Sequence, residues 1–595
     1  MSVYKAGRII KPRHFRLAPL RRGRGKRLPY VVGFDSESED SQTFTMQFAL
    51  PDKAERETLI EYVPKRPHAA LHTFMRAVHV ICTSRKREYL IYGFNLAYEF
   101  TQLFHDFGDD AKAAADFEFD YVMPDGARYR WTVYNNKRHY AIIVNRSTRL
   151  RVRFLDAYAF FSTSLDKAAR MLGVGEKLDA PAFRRRDWQL RSFQDYARRD
   201  AYITRMLGER IVSMHDDYDV PTCISAPHFA SSVFRHRFLS DEIELPNERL
   251  EQHGLYSYHG GKNGYYHDGP ADIADVRAYD IRSAYPEAMR QLPDPTRATF
   301  RPVVGYVPGE HAIWRATIDY HPCQYRGMQN IAGTWVGVPG RYNMYATGYE
   351  LDAMMSRGEA TIIRAVGHIM SGPSGGPLVD YVDTFYAMKS TTPHETERVT
   401  AKLFLNSLYG KFFQKVPVGF VGTYLWETGE YIASDQDADN DYIAGGLYHP
   451  PIASLITGYV RAKIHRLEHS YDAIMTSTDG IFARRDPRPG DIGTALGMLD
   501  VTTGRLRIWR ERLYLFDSGS HGVENCGMGA ACKEHKSALH GFRGSPVELA
   551  SVPLTTGRYD YTAQQVVTLG MSTRRYDGRY HAPGSFVTLP FALDV

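Results

Sequence analysis

Asp35 and Glu37 close the apolar stretch "PYVVGFDSE" (29–37), and Asp479 stands inside "IMTSTDGIFA" (474–483). Each admits two readings. In a strand, residues i and i+2 share a face, so the Asp35 and Glu37 carboxylates converge. Convergence costs electrostatic energy unless a cation lies between them; otherwise the pair is an exposed strand end. Asp479 precedes Gly480, and Asp-Gly is a strong hairpin signal. Asp479 is therefore either a turn former or one half of a metal site whose other half lies elsewhere in the chain.

Other stretches supply the missing halves. The apolar strand "EYLIYGFN" ends in "NLAYEF", which carries Asn95, Tyr98 and Glu99. "DYARRDAYITRML" has a helical pattern that sets Tyr196 and Asp200 one turn apart on one face. Acids on two strand ends and a helix could hold two divalent ions about 4 Å apart, the arrangement that hydrolyses phosphodiesters. "AYDIRSAYPEAM" (278–289) reads as a strand carrying Asp280, with a strand-to-helix turn at Tyr285-Pro286. "ERVTAKLFLNSLYGKF" (397–412) reads as a helix ending at Gly410. Arg398, Lys402, Asn406 and Tyr409 form one stripe of it, and Leu403, Leu405 and Leu408 fall largely off that stripe. Such a stripe either faces solvent or lies along a triphosphate with a base above it.

The elements that position these residues belong to a long, multidomain chain of 595 residues, 43% hydrophobic and 24% charged, as in soluble globular proteins. No run of 18 apolar residues exists, and no secretory signal is expected. The five cysteines are scattered with no CxxC, which argues for a reducing compartment and against a disulfide framework or a zinc site. Residues 1–30 hold ten Lys or Arg and no acid, so the rest of the +6 chain is net negative. This basic arm is either a solvated tail or a phosphate-contacting arm. Forty tyrosines suit base stacking.

Read in order, these residues resemble two motif sets. Asp35-x-Glu37, Asn95-x-x-Tyr98-Glu99 and Tyr196-x-x-x-Asp200 resemble the DEDD-type 3′–5′ exonuclease motifs that precede family B DNA polymerases, with Glu99 where the family has Asp. Asp280, Ser283, Tyr285 and Pro286 resemble motif A, with Ala284 where Leu is usual. Lys402, Asn406, Ser407, Tyr409 and Gly410 match motif B at every signature position. Ser477-Thr478-Asp479-Gly480 resembles motif C without its first Asp and final Ser. Tyr258-His259-Gly260-Gly261 resembles the template-contacting Y-x-G-G segment, and Arg512-Leu513-Tyr514 sits where the family has K-x-Y near the primer terminus.

The resemblance implies an α/β and α+β multidomain fold, a ribonuclease H-like exonuclease domain followed by a palm, fingers and thumb polymerase domain. Expected boundaries are a basic arm at 1–30, exonuclease at 31–215, linker and motif A palm at 216–298, a first insertion at 299–380, fingers at 381–413, a hairpin insertion at 414–446, motif C palm at 447–545 and thumb at 546–595. Asp280 and Asp479, with the Ile281 carbonyl, would hold two Mg²⁺ ions (or Mn²⁺) for nucleotide addition. Asp35, Glu37, Glu99 and Asp200 would hold two more, with Tyr196 beside them. Tyr285, Lys389, Arg398, Lys402, Asn406 and Tyr409 would bind the dNTP, and Asn95, Tyr98, Tyr258, Gly260, Gly261, Arg512 and Tyr514 would bind DNA.

Asp280 to Lys402 spans 122 residues and Gly410 to Asp479 spans 69, more than palm and fingers need. The first gap, and the hairpin "GFVGTYLWETGEYIAS" with its acidic loop "DQDADNDY" in the second, resemble the two insertions of protein-primed family B polymerases from phages and linear plasmids. Expected partners are primer-template and single-stranded DNA, dNTPs and a terminal protein primer. A monomer in the host cytoplasm, without a membrane segment, is expected. The rival readings are a DNA-primed family B polymerase, and a nuclease or DNA-binding protein with an inactive polymerase half.

Overall fold

The computed structural model describes residues 9–10, 16–20 and 28–526, apart from 41, 86, 108–115, 136–138, 180–182, 267–270, 323–327, 332–333, 337–338, 418–420, 426–429, 433–441, 511–512 and 519–522. Arg512, the expected thumb at 546–595, the acidic loop and most of the basic arm lie outside the described residues. The chain divides into two compact units, residues 1–240 with 387–448, and 241–386 with 449–595.

The first unit is built on a ten-stranded mixed sheet. Its central strand, Leu28–Glu39, pairs antiparallel with Gln42–Ala49, which pairs antiparallel with Leu59–Tyr62. On the other side it pairs parallel with Arg87–Gly93, itself parallel to Arg151–Asp156. In chain order these five strands lie 3-2-1-4-5. The first part of the central strand, Leu28–Phe34, reads as an apolar run because both faces are covered. Val32, Phe34, Phe48, Phe74 and Phe154 pack on one side of it, and the long helix Arg191–Asp217 covers the other.

That helix approaches unusually closely at Gly33. A Cβ there would meet the Ala201 carbonyl and lie 2.5 Å from the Arg205 amide nitrogen. Strands Asp116–Val122, Arg128–Tyr134 and Tyr140–Asn145 extend the sheet as an antiparallel meander. Strand Val421–Leu425 joins its edge, parallel to Asp116–Val122, and turns back as Glu430–Ile432. The strands read in the second gap therefore form, and they complete a sheet begun some 300 residues earlier.

The first unit also holds the helix Glu395–Ser407, which follows the helix Pro377–Thr391. The sequence pattern predicts the later helix at 397–412, but α geometry ends at Ser407 and Tyr409–Phe413 tightens into a 3₁₀ turn. Ala401, Phe404, Leu405 and Leu408 are buried, with Phe404 packed on Tyr218 and Phe229. Helical periodicity leaves Arg398, Lys402 and Asn406 exposed on the opposite face.

The second unit carries a seven-stranded, wholly antiparallel sheet in the order Lys262–Tyr265, Met475–Thr478, Gly480–Ala483, Ala271–Ile281, Leu499–Arg510, Leu513–Asp517, Val523–Cys526. The largely buried helix Pro450–Ser470 packs against it. Residues 299–371 form a separate four-stranded antiparallel sheet with its own core around Trp314, Ile318 and Tyr320. Among the described residues no helix is long and apolar enough to cross a membrane.

Gly33→Ala should destabilise the first unit by about 1–3 kcal/mol, because the helix must move to admit one methyl group. Urea denaturation measures this; a wild-type midpoint would mean that the helix–strand contact is looser than described.

Candidate active sites

Four acids meet in the first unit. Asp35 and Glu37 lie half-buried on one face of the central strand, and Asp200 comes from the covering helix. Carboxylate oxygens of these three fall within 4.8 Å of one another. Glu99 is buried beside them and accepts a 2.6 Å hydrogen bond from Ser36 Oγ.

The element under Glu99 differs from expectation. The strand stops at Gly93, and Leu96–Leu103 is a helix. Asp156, at the end of its own strand, accepts the backbone N–H groups of Asn95 (2.9 Å) and Leu96 (3.2 Å). Those bonds satisfy donors that a helix start leaves orphaned, while Asn95 takes a left-handed conformation, φ 64°, which Asn tolerates. Tyr98 is exposed, and its hydroxyl hydrogen-bonds Ser38.

Burial is the first cause of raised carboxyl pKa values here, and mutual repulsion adds to it. Asp35 is held well above the usual carboxylate range. Glu37 is pushed up to about 7 and Glu99 to about 8. Asp200 is raised by burial even though the Lys177 ammonium sits 2.5 Å from its Oδ2. Asp200 also hydrogen-bonds Tyr196, whose hydroxyl is pushed upward, and Lys177 lies over the Tyr196 ring at 5.5 Å. Asp200 Oδ1 is buried without a hydrogen-bond partner. A crowd of carboxyls with one orphaned oxygen fits divalent cations. Sequence reasoning missed Lys177, which no spacing signals, and Asp156, which shares with Asp35 the position of an acid ending an apolar strand.

Two further acids lie on adjoining backbone in the second unit. Asp280 ends the strand Ala271–Ile281 and pairs with Gly480. Asp479 stands between the strands Met475–Thr478 and Gly480–Ala483, and its carbonyl accepts the Ile281 N–H at 3.0 Å. The hairpin turns through Thr478 at φ 57°. A Cβ at Gly480 would collide with the Asp280 carboxylate, so this glycine clears the space in which the acid stands. Burial raises the Asp479 pKa. The donor set, two carboxylates on neighbouring strands, again fits a divalent ion.

Ser477, Tyr514 and the Tyr258–Gly261 loop lie next to this hairpin. Ser477 Oγ lies 3.3 Å from the hydroxyl of Tyr514, whose buried ring packs on Phe482. A Cβ at Gly261 would press on Thr478, and Lys262 pairs with Thr478 in the sheet, so the Tyr258–Gly261 loop abuts the turn carrying Asp479. Arg461 donates to the His259 and Gly260 carbonyls and holds that loop. Tyr285 lies half-buried in the first turn of helix Ala284–Gln291, just after Asp280. In the first unit, Arg398 pairs with Glu395 at 2.8 Å, and Lys389 and Tyr409 are half-buried.

The four-acid site makes stability depend on pH in a stated direction. A carboxyl that holds its proton more tightly folded than unfolded contributes stability at low pH, and that contribution is lost as pH rises through the folded pKa. Without divalent ions, the melting temperature of the first unit should fall between about pH 5 and about pH 8, the window of Glu37 and Glu99. Mg²⁺ should restore it most strongly at the high end. Calorimetry in EDTA and in Mg²⁺ checks this; a pH-flat EDTA profile would contradict the electrostatics.

Residues 182–443, which carry Tyr196, Asp200 and the motif A and B stretches, match the family model described as DNA polymerase type B, organellar and viral. No curated protein sequence matches the chain. Solved structures do match in fold. The phi29 DNA polymerase in its orthorhombic crystal form is 16% identical at a TM-score of 0.61, over 82% of this chain and 87% of that one. The phi29 polymerase complexed with primer-template DNA and incoming nucleotides is 17% identical at 0.60, over 84% and 89%. Its complex with single-stranded DNA is 17% identical at 0.56, over 82% and 87%. By its motifs, by the family model and by its multidomain α/β fold, the chain is similar to the family B DNA polymerases of the organellar and viral type.

Proposed function

We propose that the chain is a template-directed DNA polymerase with a 3′–5′ proofreading exonuclease, primed by a protein and serving a phage or linear-plasmid genome. The observation that carries this reading is the register that sets Asp280 against Gly480 and so beside Asp479, on stretches resembling motifs A and C. The 3-2-1-4-5 strand order, with the four acids at its central strand, supports a ribonuclease H-like exonuclease domain at 31–215. The antiparallel sheet around Asp280 supports a palm, and the helix pair ending at Ser407 supports fingers.

In the palm, Asp280, Asp479 and the Ile281 carbonyl would hold two Mg²⁺ or Mn²⁺ ions, which would supply Lewis acidity toward the primer 3′-hydroxyl and charge neutralisation of the triphosphate. Arg398, Lys402 and Lys389 offset phosphate charge that grows in the transition state. Asn406 and Tyr409 pack on the nascent pair, and Tyr285 sits under the sugar and rejects a 2′-hydroxyl. Tyr258, Gly260 and Gly261 guide the template, and Arg512 and Tyr514 hold the primer end. Ser477 removes a charge beside the site but leaves the bridging pair of acids.

In the exonuclease domain, Asp35, Glu37, Glu99 and Asp200 would hold divalent ions, which would supply an activated water for hydrolysis. Tyr196 and Lys177 orient Asp200, and Asn95 and Tyr98 receive the single strand. The sheet within 299–371 and the strands 421–432 support the two insertions of the protein-primed subfamily, one meeting the terminal protein and the other enclosing DNA for processive strand displacement.

Asp280→Asn or Asp479→Asn should reduce primer extension at least 10³-fold and spare degradation of single strands, while Asp35→Ala with Glu37→Ala should do the reverse. Gel analysis of a labelled primer separates the outcomes. Wild-type degradation without any extension would favour a nuclease with an inactive polymerase half. Protein priming is tested by mixing the enzyme with the small protein encoded beside it, Mg²⁺ and labelled dNTPs. An SDS-stable nucleotide–protein adduct is expected; efficient oligonucleotide extension without an adduct would make the enzyme DNA-primed.

A further inference from the structure

A second convergence of metal-ligating side chains lies in the 241–386/449–595 unit, on the helix Pro450–Ser470. His465 and His469 are four residues apart and share a face of that helix. Glu359, just before the strand Ala360–Ser371, reaches the same point. Ligand atoms of the three lie within 4.8 Å of one another. The side chains of Glu359 and His465 are fully buried, and that of His469 is 2% exposed.

We propose that Glu359, His465 and His469 bind one transition-metal dication of the zinc class. The donor set, two imidazoles and a carboxylate, is one that zinc takes readily. The spacing also suits the ion. Tetrahedral bonds of ~2.0–2.1 Å hold two ligand atoms about 3.3 Å apart. His469 Nε2 is 3.3 Å from Glu359 Oε1, and His465 Nε2 is 2.8 Å from Glu359 Oε2, so with each oxygen as a donor the His465–Glu359 edge must open by about half an ångström.

Two independent observations support a ligand here over a closed hydrogen-bond network. His469 Nε2 is buried and makes no hydrogen bond. An unbonded ring nitrogen 3.3 Å from a carboxylate oxygen is what a metal ion would use. Behind His465, the Glu468 carboxylate lies 2.8 Å and the Lys262 Nζ 3.1 Å from Nδ1. A ligating histidine commonly gives its second N–H to a carboxylate, which fixes the tautomer and raises its basicity. Glu468 is itself neutralised by Lys262, and Arg357, at 3.0 Å from Glu359 Oε1, is one-third exposed. The scattered cysteines argue only against a thiolate site; an imidazole–carboxylate site needs none.

The site is closed to solvent, so it would be structural, with the second Glu359 oxygen serving as the fourth donor. It would join the base of the 299–371 sheet to the helix whose Arg461 and whose Glu468–Lys262 pair hold the Tyr258–Gly261 loop. It stands apart from the assigned function and does not rest on it.

The full-length protein, purified without chelator and desalted, should retain about one zinc per chain, and Co²⁺ substitution should give the visible bands of a tetrahedral nitrogen-ligated ion. Zinc added in the presence of excess Mg²⁺ should raise the melting temperature. His469→Gln should weaken zinc binding at least ~10-fold and abolish that shift, whereas Asp35→Ala with Glu37→Ala should keep both. If His469→Gln does not fold, Glu359→Gln serves in its place. Absence of bound zinc, or zinc lost with the Asp35/Glu37 pair but kept by His469→Gln, would overturn the proposal.

Discussion

Everything in the first unit turns on holding like charges together out of water. Asp35, Glu37, Glu99 and Asp200 repel one another, and burial removes the solvent that would screen them. The chain meets that cost with backbone. Gly33 brings the Asp200 helix against the Asp35 strand at a distance that no side chain permits. Asp156 anchors the helix start that carries Glu99. Lys177 supplies one fixed positive charge at Asp200. The remaining imbalance is what suits the site to a divalent cation.

The same logic recurs in milder form around Asp280 and Asp479. A hairpin turning through a left-handed Thr478 presents one acid, and Gly480 leaves room for the other on the neighbouring strand. Around it, buried ion pairs fix the adjoining loop. Arg461 joins Glu350 at 2.7 Å and the loop carbonyls, and Lys262 joins Glu468. Buried ion pairs are a poor source of net stability, because desolvation consumes most of the attraction. Their effect here is positional: each holds one backbone arrangement next to the hairpin.

Much of this was legible in the sequence, for identifiable reasons. The Asp35-x-Glu37 face follows from the two-residue period of a strand, and the exposed Arg398–Lys402–Asn406 stripe from the helical period. Asp-Gly signals a hairpin at Asp479, but the turn residues are Thr478 and Asp479, and Gly480 already pairs with Ser477. What was hidden depended on partners distant in the chain. Glu99 looked like a strand-end acid because the capping carboxylate, Asp156, is 60 residues from Leu96. Lys177 sits in a stretch with no local signature. The pairing of Val421–Leu425 with Asp116–Val122 joins segments whose patterns say nothing of each other. The end of the motif B helix at Ser407 was misjudged by a few residues because a 3₁₀ turn continues the same apolar periodicity.

The central claim is that two separate acid sites act in opposite directions on one primer. A labelled primer annealed to a longer template, incubated with the purified protein and Mg²⁺, tests it most directly. The account predicts templated lengthening when all four dNTPs are present and stepwise 3′ shortening when they are withheld. Shortening regardless of dNTPs, or no change in length under either condition, would contradict it.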